Sequence, residues 1–309
     1  MNAEFASELV AGLSARPRRV SPKWFYDVAG SRLFERICAL PEYYPTRVEL
    51  ALLDRHAAEL ARLIGRGSEI VEFGAGAIRK VRVLLGALDT PARFVPIDIS
   101  GDHLLVAADA LRLDHPALDV RPVVGDFTQP LALPPAVGRR VGFFPGGSIG
   151  NFDPPQAVAL LRRFAAVLAG GGLLIGVDLV KDPALLHAAY NDGAGVTAAF
   201  NLNLWARANR EAQADFDLAQ WMHCAFYNAP AQRIEMHLVS RCAQRVVVAG
   251  AGFDFAEGDS VHTENSYKYT VAGFQALARE AGFEPVACWT DAARRFALHW
   301  LASGDAAAR

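Results

Sequence analysis

The sequence predicts an α/β protein built on a doubly wound, Rossmann-like sheet of seven strands, with a second domain inserted into it. Three observations carry this. A glycine turn, Glu72-Phe-Gly-Ala-Gly76, follows an apolar run (Ile70, Val71, Phe73) and precedes a helical pattern (Val81, Leu84, Leu85, Leu88). Apolar runs alternate with helical periods from residue 69 to 180, the pattern of parallel strands joined by crossover helices. The alternation breaks near residue 182 and resumes near 267, so the stretch between is an insertion.

Residues 1–20 carry only a weak helical pattern. Ser21 to Arg47 is dense in aromatics, with prolines breaking the periodicity. Most of its rings read as core, but Tyr43 and Tyr44 sit beside prolines, where buried phenols need partners and loops line pockets. Leu53, Ala57, Leu60 and Ile64 share a helical face. The glycine turn after the first strand lets backbone lie against a nucleotide. The second strand, Phe94-Val-Pro-Ile, ends in Asp98, placed to take both hydroxyls of a ribose. Ser100 can cap a helix bearing Leu104, Ala108 and Leu111.

Val120 to Val124 reads as the third strand, ending at Gly125-Asp-Phe127, and Arg140 to Phe144 as the fourth, running into Pro145-Gly-Gly-Ser-Ile-Gly-Asn-Phe152. Asp153 caps a helix that opens with Pro154-Pro155 and closes at Gly170-Gly-Gly172, and Leu173 to Val180 is a buried fifth strand. Inside the insertion, Arg233 to Ser240 and Gln244 to Val248 alternate and read as a hairpin. A helix with Phe274, Leu277 and Ala281 then stops at Gly282. Strands at Val286 to Trp289 and Phe296 to Leu301 complete the seven.

The 309 residues suffice for a sizeable core, and a net charge of −2 with 21% charged residues gives no field that draws nucleic acid or anionic lipid. Cys38, Cys224, Cys242 and Cys288 lie far apart, so buried thiols in a reducing compartment are expected. The eight histidines show no ligand spacing, and no metal is expected. No targeting signal and no apolar run long enough for a membrane span is evident. The expectation is a cytoplasmic monomer acting on a small molecule.

Ligands of an open α/β sheet bind beyond the carboxyl ends of its strands, which here carry Gly74, Gly76, Asp98, Asp126, Phe127 and the stretch from Gly146 to Asn151. Arg79 stands where a dinucleotide fingerprint has its third glycine. Acid-x-Gly-x-Gly with an acid after strand two suits S-adenosylmethionine better than a nicotinamide, although Gly-x-Gly is also common in plain turns. Asp126 with Phe127 fits an adenine, carboxylate on the amino group and ring stacked; a helix cap is an equal reading of Asp126. The glycine loop brings backbone and the Asn151 amide to the reacting centre, or is an ordinary strand-to-helix turn. In Thr263-Glu-Asn-Ser-Tyr-Lys-Tyr269, an extended backbone puts Glu264 and Ser266 on one face, where they can hold the two nitrogens of an imidazole; an exposed edge strand is the alternative.

These residues belong to a longer series: Lys23-Trp-Phe-Tyr-Asp27, Leu40-Pro-Glu-Tyr-Tyr-Pro-Thr-Arg47, Gly125-Asp-Phe127, Ser148-Ile-Gly-Asn151, Asp178-Leu-Val-Lys-Asp182, Gly195-Val-Thr-Ala-Ala-Phe-Asn201, Ile234-Glu-Met236 and Trp289-Thr-Asp291. With them the chain resembles, over almost its whole length, the S-adenosylmethionine-dependent histidine Nα-methyltransferases of ergothioneine biosynthesis. The resemblance implies a class I methyltransferase core at 51–181, completed by 267–309, with a substrate domain made of 1–50 and 182–266. It implies cofactor contacts from Tyr43, Gly74, Lys80, Asp98, Asp126 and Phe127. It places histidine's carboxylate on Asn151 and Tyr190, its amine near Tyr26, Gly146 and Ser148, and its imidazole on Glu264 and Ser266, with Thr197 and Met236 lining the pocket. Two loops depart from the family pattern. Phe73-Gly-Ala-Gly-Ala-Ile-Arg-Lys-Val81 stands where Phe-Gly-Ser-Gly-Thr-Ser-Glu-Lys-Thr is usual, and Pro145-Gly-Gly147 replaces a Gly-Ser-Thr-type loop.

The reaction implied is in-line attack of the α-amine on the sulfonium methyl, repeated to the trimethyl betaine. Tyr26 and Asn151 are the catalytic candidates, Tyr26 with a water as proton relay; release of the proton to solvent before closure is the alternative. Methylation of another amino acid such as arginine, and a non-catalytic sensor of cofactor or amino acid, are the rival readings.

Overall fold

The computed structural model describes residues 2–76 and 78–304. Met1, Ala77 of the glycine turn and residues 305–309 of the expected C-terminal core segment lie outside them. In chain order the strands are β1 (Glu69–Phe73), β2 (Arg93–Asp98), β3 (Asp119–Val120), β4 (Val123–Val124), β5 (Arg140–Phe144), β6 (Gly172–Asp178), β7 (Trp221–Asn228), β8 (Arg233–Ser240), β9 (Gln244–Val248), β10 (Ala251–Phe255), β11 (Ser260–Tyr267), β12 (Phe283–Thr290) and β13 (Phe296–Ser303). The chain divides into two compact units, Met1–Tyr44 with Asp182–Ser266, and Pro45–Lys181 with Tyr267–Arg309.

The unit Pro45–Lys181 with Tyr267–Arg309 is built on one sheet of order β12-β13-β6-β5-β1-β2-β3, with β4 also on β2. The strands from β1 to β6 pair in parallel, and β13 runs antiparallel to both β6 and β12. Every residue of β1 and β6 is buried, as expected of strands covered on both faces by crossover helices. Phe73 of β1 stacks on Phe164 of the helix Pro154–Val167 with centroids 3.7 Å apart, which joins sheet and helix into one core. β3 and β4 are the two ends of the expected third strand, interrupted at Arg121-Pro122, because proline has no N–H for the ladder. Counted as one interrupted strand, they leave the seven sheet positions that the sequence predicts.

Two local expectations change. The helical face of Leu53, Ala57, Leu60 and Ile64 spans two helices, Tyr44–Arg55 and Ala57–Ile64, broken at His56. Ser100 does not cap the helix Gly101–Asp114 through its hydroxyl; its backbone N–H instead donates to Asp98 Oδ1 at 2.8 Å. Asp153 and Gln156 do form a capping box at the start of Pro154–Val167.

The unit Met1–Tyr44 with Asp182–Ser266 holds a sheet of order β11-β8-β7, a separate β9–β10 pair, and the helices Ala3–Ser14, Val28–Ala39, Pro183–Tyr190 and Val196–Glu211. The expected hairpin of Arg233–Ser240 with Gln244–Val248 does not form. β8 pairs antiparallel with β7, and β9 pairs with β10. The reason lies in the turn. Ala249 and Gly250 both have positive φ, +47° and +83°, giving the tight two-residue connection that suits the twist of β9 and β10. Ser240, by contrast, is held by Asp259 O and Gly258 N, so the chain leaves β8 without reversing. The outer edge of β11 is closed by residues 18–20: Val20 N donates to His262 O, and His262 N to Arg18 O.

Candidate active site

In the unit Pro45–Lys181 with Tyr267–Arg309, the residues read as cofactor ligands gather at the C-terminal ends of the parallel strands. Gly74 has φ +74°, a left-handed conformation that glycine adopts at no cost, and a Cβ there would stand 3.3 Å from the Phe127 ring. Gly74 N and Ala75 N both donate to Ile97 O at 2.9 Å, which docks the turn onto β2. Gly76 N donates to Asp98 Oδ2 at 2.8 Å. Asp98 therefore uses one oxygen on the glycine turn and the other on Ser100 N, and each retains a lone pair. Among the described residues, chain neighbours aside, no atom lies within 4 Å of where a Cβ on Gly76 would stand. That cradle and the acid beside it fit a nucleoside with two ribose hydroxyls.

Asp126 and Phe127 follow β4. The Asp126 Oδ1 accepts from Thr128 N at 2.8 Å and Thr128 Oγ1 at 2.6 Å, a local turn that occupies one oxygen. Phe127 packs edge-on against Phe144 and lies near Phe152 and Phe164.

Lys80, in the first turn of the helix Arg79–Ala87, pairs with Glu49 at 2.7 Å. Glu49 also accepts from Gly146 N. Gly146 and Gly147 have φ of +88° and +71°, which turn the chain from β5 into the 3-10 turn Ser148–Asn151. Ser148 Oγ donates to Pro145 O at 3.2 Å, so Gly146, Ser148 and Asn151 belong to one short, hydrogen-bonded loop. Glu72, in β1, is 1% exposed, and its Oε2 has no hydrogen-bond partner among the described residues. Burial pushes its carboxyl well above the usual range, against the pull of Lys80 and with Asp98 and Glu49 adding to the rise.

The unit Met1–Tyr44 with Asp182–Ser266 collects the other expected residues. Glu264 and Ser266 are both buried on β11 and Asn265 between them is half-buried, the alternation of an extended strand. The Tyr190 hydroxyl donates to Ser266 Oγ at 2.7 Å. Tyr43 lies in this unit, away in sequence from the glycine turn. Burial pushes its phenol well above the usual range, with Tyr190, Cys38, Tyr26 and Glu264 adding to the effect. Tyr26 meets Phe34 and Phe200 edge-on, so its ring is held by aromatic packing from two helices.

Thr197 starts the helix Val196–Glu211, and its N–H donates to Asp192 Oδ1 while Val196 N donates to Oδ2, both at 2.8 Å. The Thr263 hydroxyl lies 2.9 Å from Asn201 Oδ1 and 3.1 Å from Met236 O, and its single proton is shared between these two acceptors. Asn201 Nδ2 in turn reaches His223 Nδ1 and His237 O, and His223 Nε2 reaches Tyr190 O at 2.9 Å. One buried amide thus ties the helix of Thr197 to β7, β8 and β11.

Sequence reasoning missed Glu49, Asp192 and Asn201 as supports of the site. Glu49 had a signal: it sits three and four residues before Leu52 and Leu53, a lone acid on an apolar helix face. Asn201 ends the motif Gly195 to Asn201 but carried no sign of its role, and Asp192 had no signal, since each acts through contacts that the fold creates.

One group of metal-type ligands stands apart. Glu235, His237 and His262 bring ligand atoms within 4.8 Å of one another. Burial would raise the Glu235 carboxyl, yet bonds from Asn228, Arg233 and His237 hold it at about 2. The Arg233 guanidinium lies 2.7 Å from that carboxylate, so a metal ion there would meet a fixed positive charge. Among the described residues no helix is long and apolar enough to cross a membrane.

Residues 5–303 match the family described as histidine-specific methyltransferase, SAM-dependent. The chain is 44% identical to a histidine N-alpha-methyltransferase of Mycolicibacterium smegmatis over 294 residues, covering 93% of this chain and 91% of that protein. It is 41% identical to a histidine N-alpha-methyltransferase of Mycobacterium tuberculosis over 297 residues, covering 94% and 92%. It is also 31% identical to ergothioneine biosynthesis protein 1 of Neurospora crassa, covering 93% of this chain and 33% of that longer protein.

Proposed function

The chain belongs to the histidine-specific, S-adenosylmethionine-dependent methyltransferases, and from that premise we propose that it methylates the α-amine of L-histidine, three times in succession, to the trimethyl betaine of ergothioneine biosynthesis. The observation that carries the choice of substrate is the buried pair Glu264 and Ser266 on one face of β11. An imidazole offers one N–H and one acceptor nitrogen, and a carboxylate beside a hydroxyl matches both. A side chain without a ring nitrogen makes neither bond, so the same pair favours an imidazole over such ligands.

S-adenosylmethionine supplies an electrophilic sulfonium methyl. The residues that would hold it are Gly74 and Gly76 at the turn, Asp98 for the ribose, Asp126 and Phe127 for the adenine, with Lys80 and Tyr43 as further contacts. The substrate unit is assigned to Met1–Tyr44 with Asp182–Ser266.

Tyr190 spends its proton on Ser266. In the bound state the Ser266 hydroxyl is assigned to the acceptor nitrogen of a neutral imidazole and Glu264 to the ring N–H. Asn151 and Tyr190 are the residues assigned to the histidine carboxylate. Thr197 and Met236 line the pocket, and Gly146 and Ser148 are assigned to the amine. The amine must be neutral to attack, so a proton leaves at each round, with Tyr26 and a water as the relay. Aromatic faces around Tyr26 suit the growing ammonium.

Mass spectrometry of the protein incubated with S-adenosylmethionine and each of histidine, arginine and tryptophan tests this. Histidine gaining three methyls is the expected result. Methylation of arginine alone would replace the reading by a side-chain methyltransferase, and cofactor binding without any product would replace it by a sensor.

A further inference from the structure

Glu49 is fully buried in the helix Tyr44–Arg55. A buried carboxylate on an apolar helix face is a poor way to stabilise a core, since a well-packed apolar residue does as well or better. The charge therefore marks a task other than packing. Three features define it. The Glu49 Oε2 pairs with Lys80 Nζ at 2.7 Å. Its two oxygens accept from Gly146 N at 3.0 and 2.9 Å. Room for it is made in β6, where a Cβ on Gly176 would stand 2.1 Å from Glu49 Oε1. Gly146 is constrained on its other side too, because a Cβ there would stand 3.1 Å from Lys80 Nζ.

We infer that Glu49 is a positioning residue for methyl transfer, setting the Lys80 ammonium and the Gly146 loop amide in a single frame. The two groups it joins serve different ligands in the functional reading above, on which this inference rests: Lys80 the cofactor, and the loop of Gly146, Ser148 and Asn151 the amino acid. An ammonium has several donors, so Lys80 can keep Glu49 and still reach a ligand. An error in the position of either group moves amine and methyl out of line, and in-line transfer is sensitive to displacements of an ångström.

The test compares Glu49→Gln with wild type in three readouts: thermal melting, the dissociation constant for S-adenosylhomocysteine by calorimetry, and kcat with histidine. Glutamine keeps an acceptor for Gly146 N but no charge for Lys80. The expected result is a folded variant whose dissociation constant and kcat are each worse by about tenfold to about a hundredfold. Glu49→Asp keeps the charge but cannot span both partners, and is expected to fall between; it carries the test if Glu49→Gln does not fold. Paired with Lys80→Met, the Glu49→Gln loss is expected to be far from additive. A variant that melts lower yet binds S-adenosylhomocysteine and turns over as wild type does would overturn the inference and leave Glu49 a core ion pair. The binding arm needs no histidine, so wild-type protein that fails to methylate histidine would sink the functional reading alone.

Discussion

The Tyr190 hydroxyl donates to Ser266 Oγ at 2.7 Å, a buried bond joining residues 76 positions apart. In the proposed function the pair, and not the serine alone, is expected to select an imidazole, because the phenol fixes the Ser266 oxygen. Removing either oxygen deletes a buried hydrogen bond, a loss of about 0.5–1.5 kcal/mol. Ser266→Ala and Tyr190→Phe are each expected to raise the KM for histidine by about tenfold to about a hundredfold and to leave S-adenosylhomocysteine affinity unchanged. Equal effects on both ligands would mean that the bond is general scaffolding.

Asp98 holds Gly76 N and Ser100 N on its two oxygens. Asp98→Ala frees the glycine turn and removes the expected ribose partner together. The dissociation constant for S-adenosylmethionine is expected to rise by about a hundredfold, with two lost charge-assisted hydrogen bonds as the cause. Isothermal titration checks it, and an unchanged constant would remove Asp98 from the cofactor site.

Glu72 sets a slope in stability against pH. Its folded pKa is raised by burial above the ordinary 4.5. Between that value and the raised one, the folded chain keeps a proton that the unfolded chain has released, so stability falls as pH rises through the window. Glu72→Gln is expected to flatten the fall and to melt higher than wild type at pH 8. Denaturant unfolding at pH 5 and pH 8 measures it; an unaltered slope would show that Glu72 is ionised in the fold.

Asp178 is buried between Lys181 Nζ at 2.6 Å and Lys268 Nζ at 2.9 Å. Burial alone would raise its carboxyl, but Lys268 and Lys181 hold it below the ordinary 3.8. A depressed acid contributes stability that is present above the unfolded value and lost as pH falls through the folded one. Asp178→Asn removes the carboxylate that pairs with both buried ammonium groups, at an expected cost of about 3–5 kcal/mol read by denaturant unfolding. Lys181, already lowered by burial to about 8, is expected to lose its proton in that variant below pH 8.

The strands that build the large sheet were legible because they are buried on both faces and read as unbroken apolar runs, as β1 and β6 do. Gly74 and Asp98 were legible for the same reason, since a strand end followed by glycine or acid is a local signal. The β8 and β9 pairing was not. Both strands alternate, and alternation says nothing about partner; that was decided by the Ala249-Gly250 turn, whose signal is weaker than Asn-Gly. The two-residue spacing of Glu264 and Ser266 showed a shared face, but alternation does not say which face of β11 is buried. Glu49 was readable as an odd charge on an apolar face. Its partners Lys80 and Gly146 were not, because helix, turn and loop meet only in the folded chain.

Proton and carbon NMR of the product made from histidine and S-adenosylmethionine labelled with carbon-13 in the methyl group tests the central claim most directly. A pocket that holds both ring nitrogens presents only the α-amine to the methyl. The expected result is a single set of labelled methyls on Nα, lost or strongly reduced in Glu264→Ala. Label on a ring nitrogen of histidine would contradict the account, because Glu264 and Ser266 could not then be gripping the imidazole during transfer.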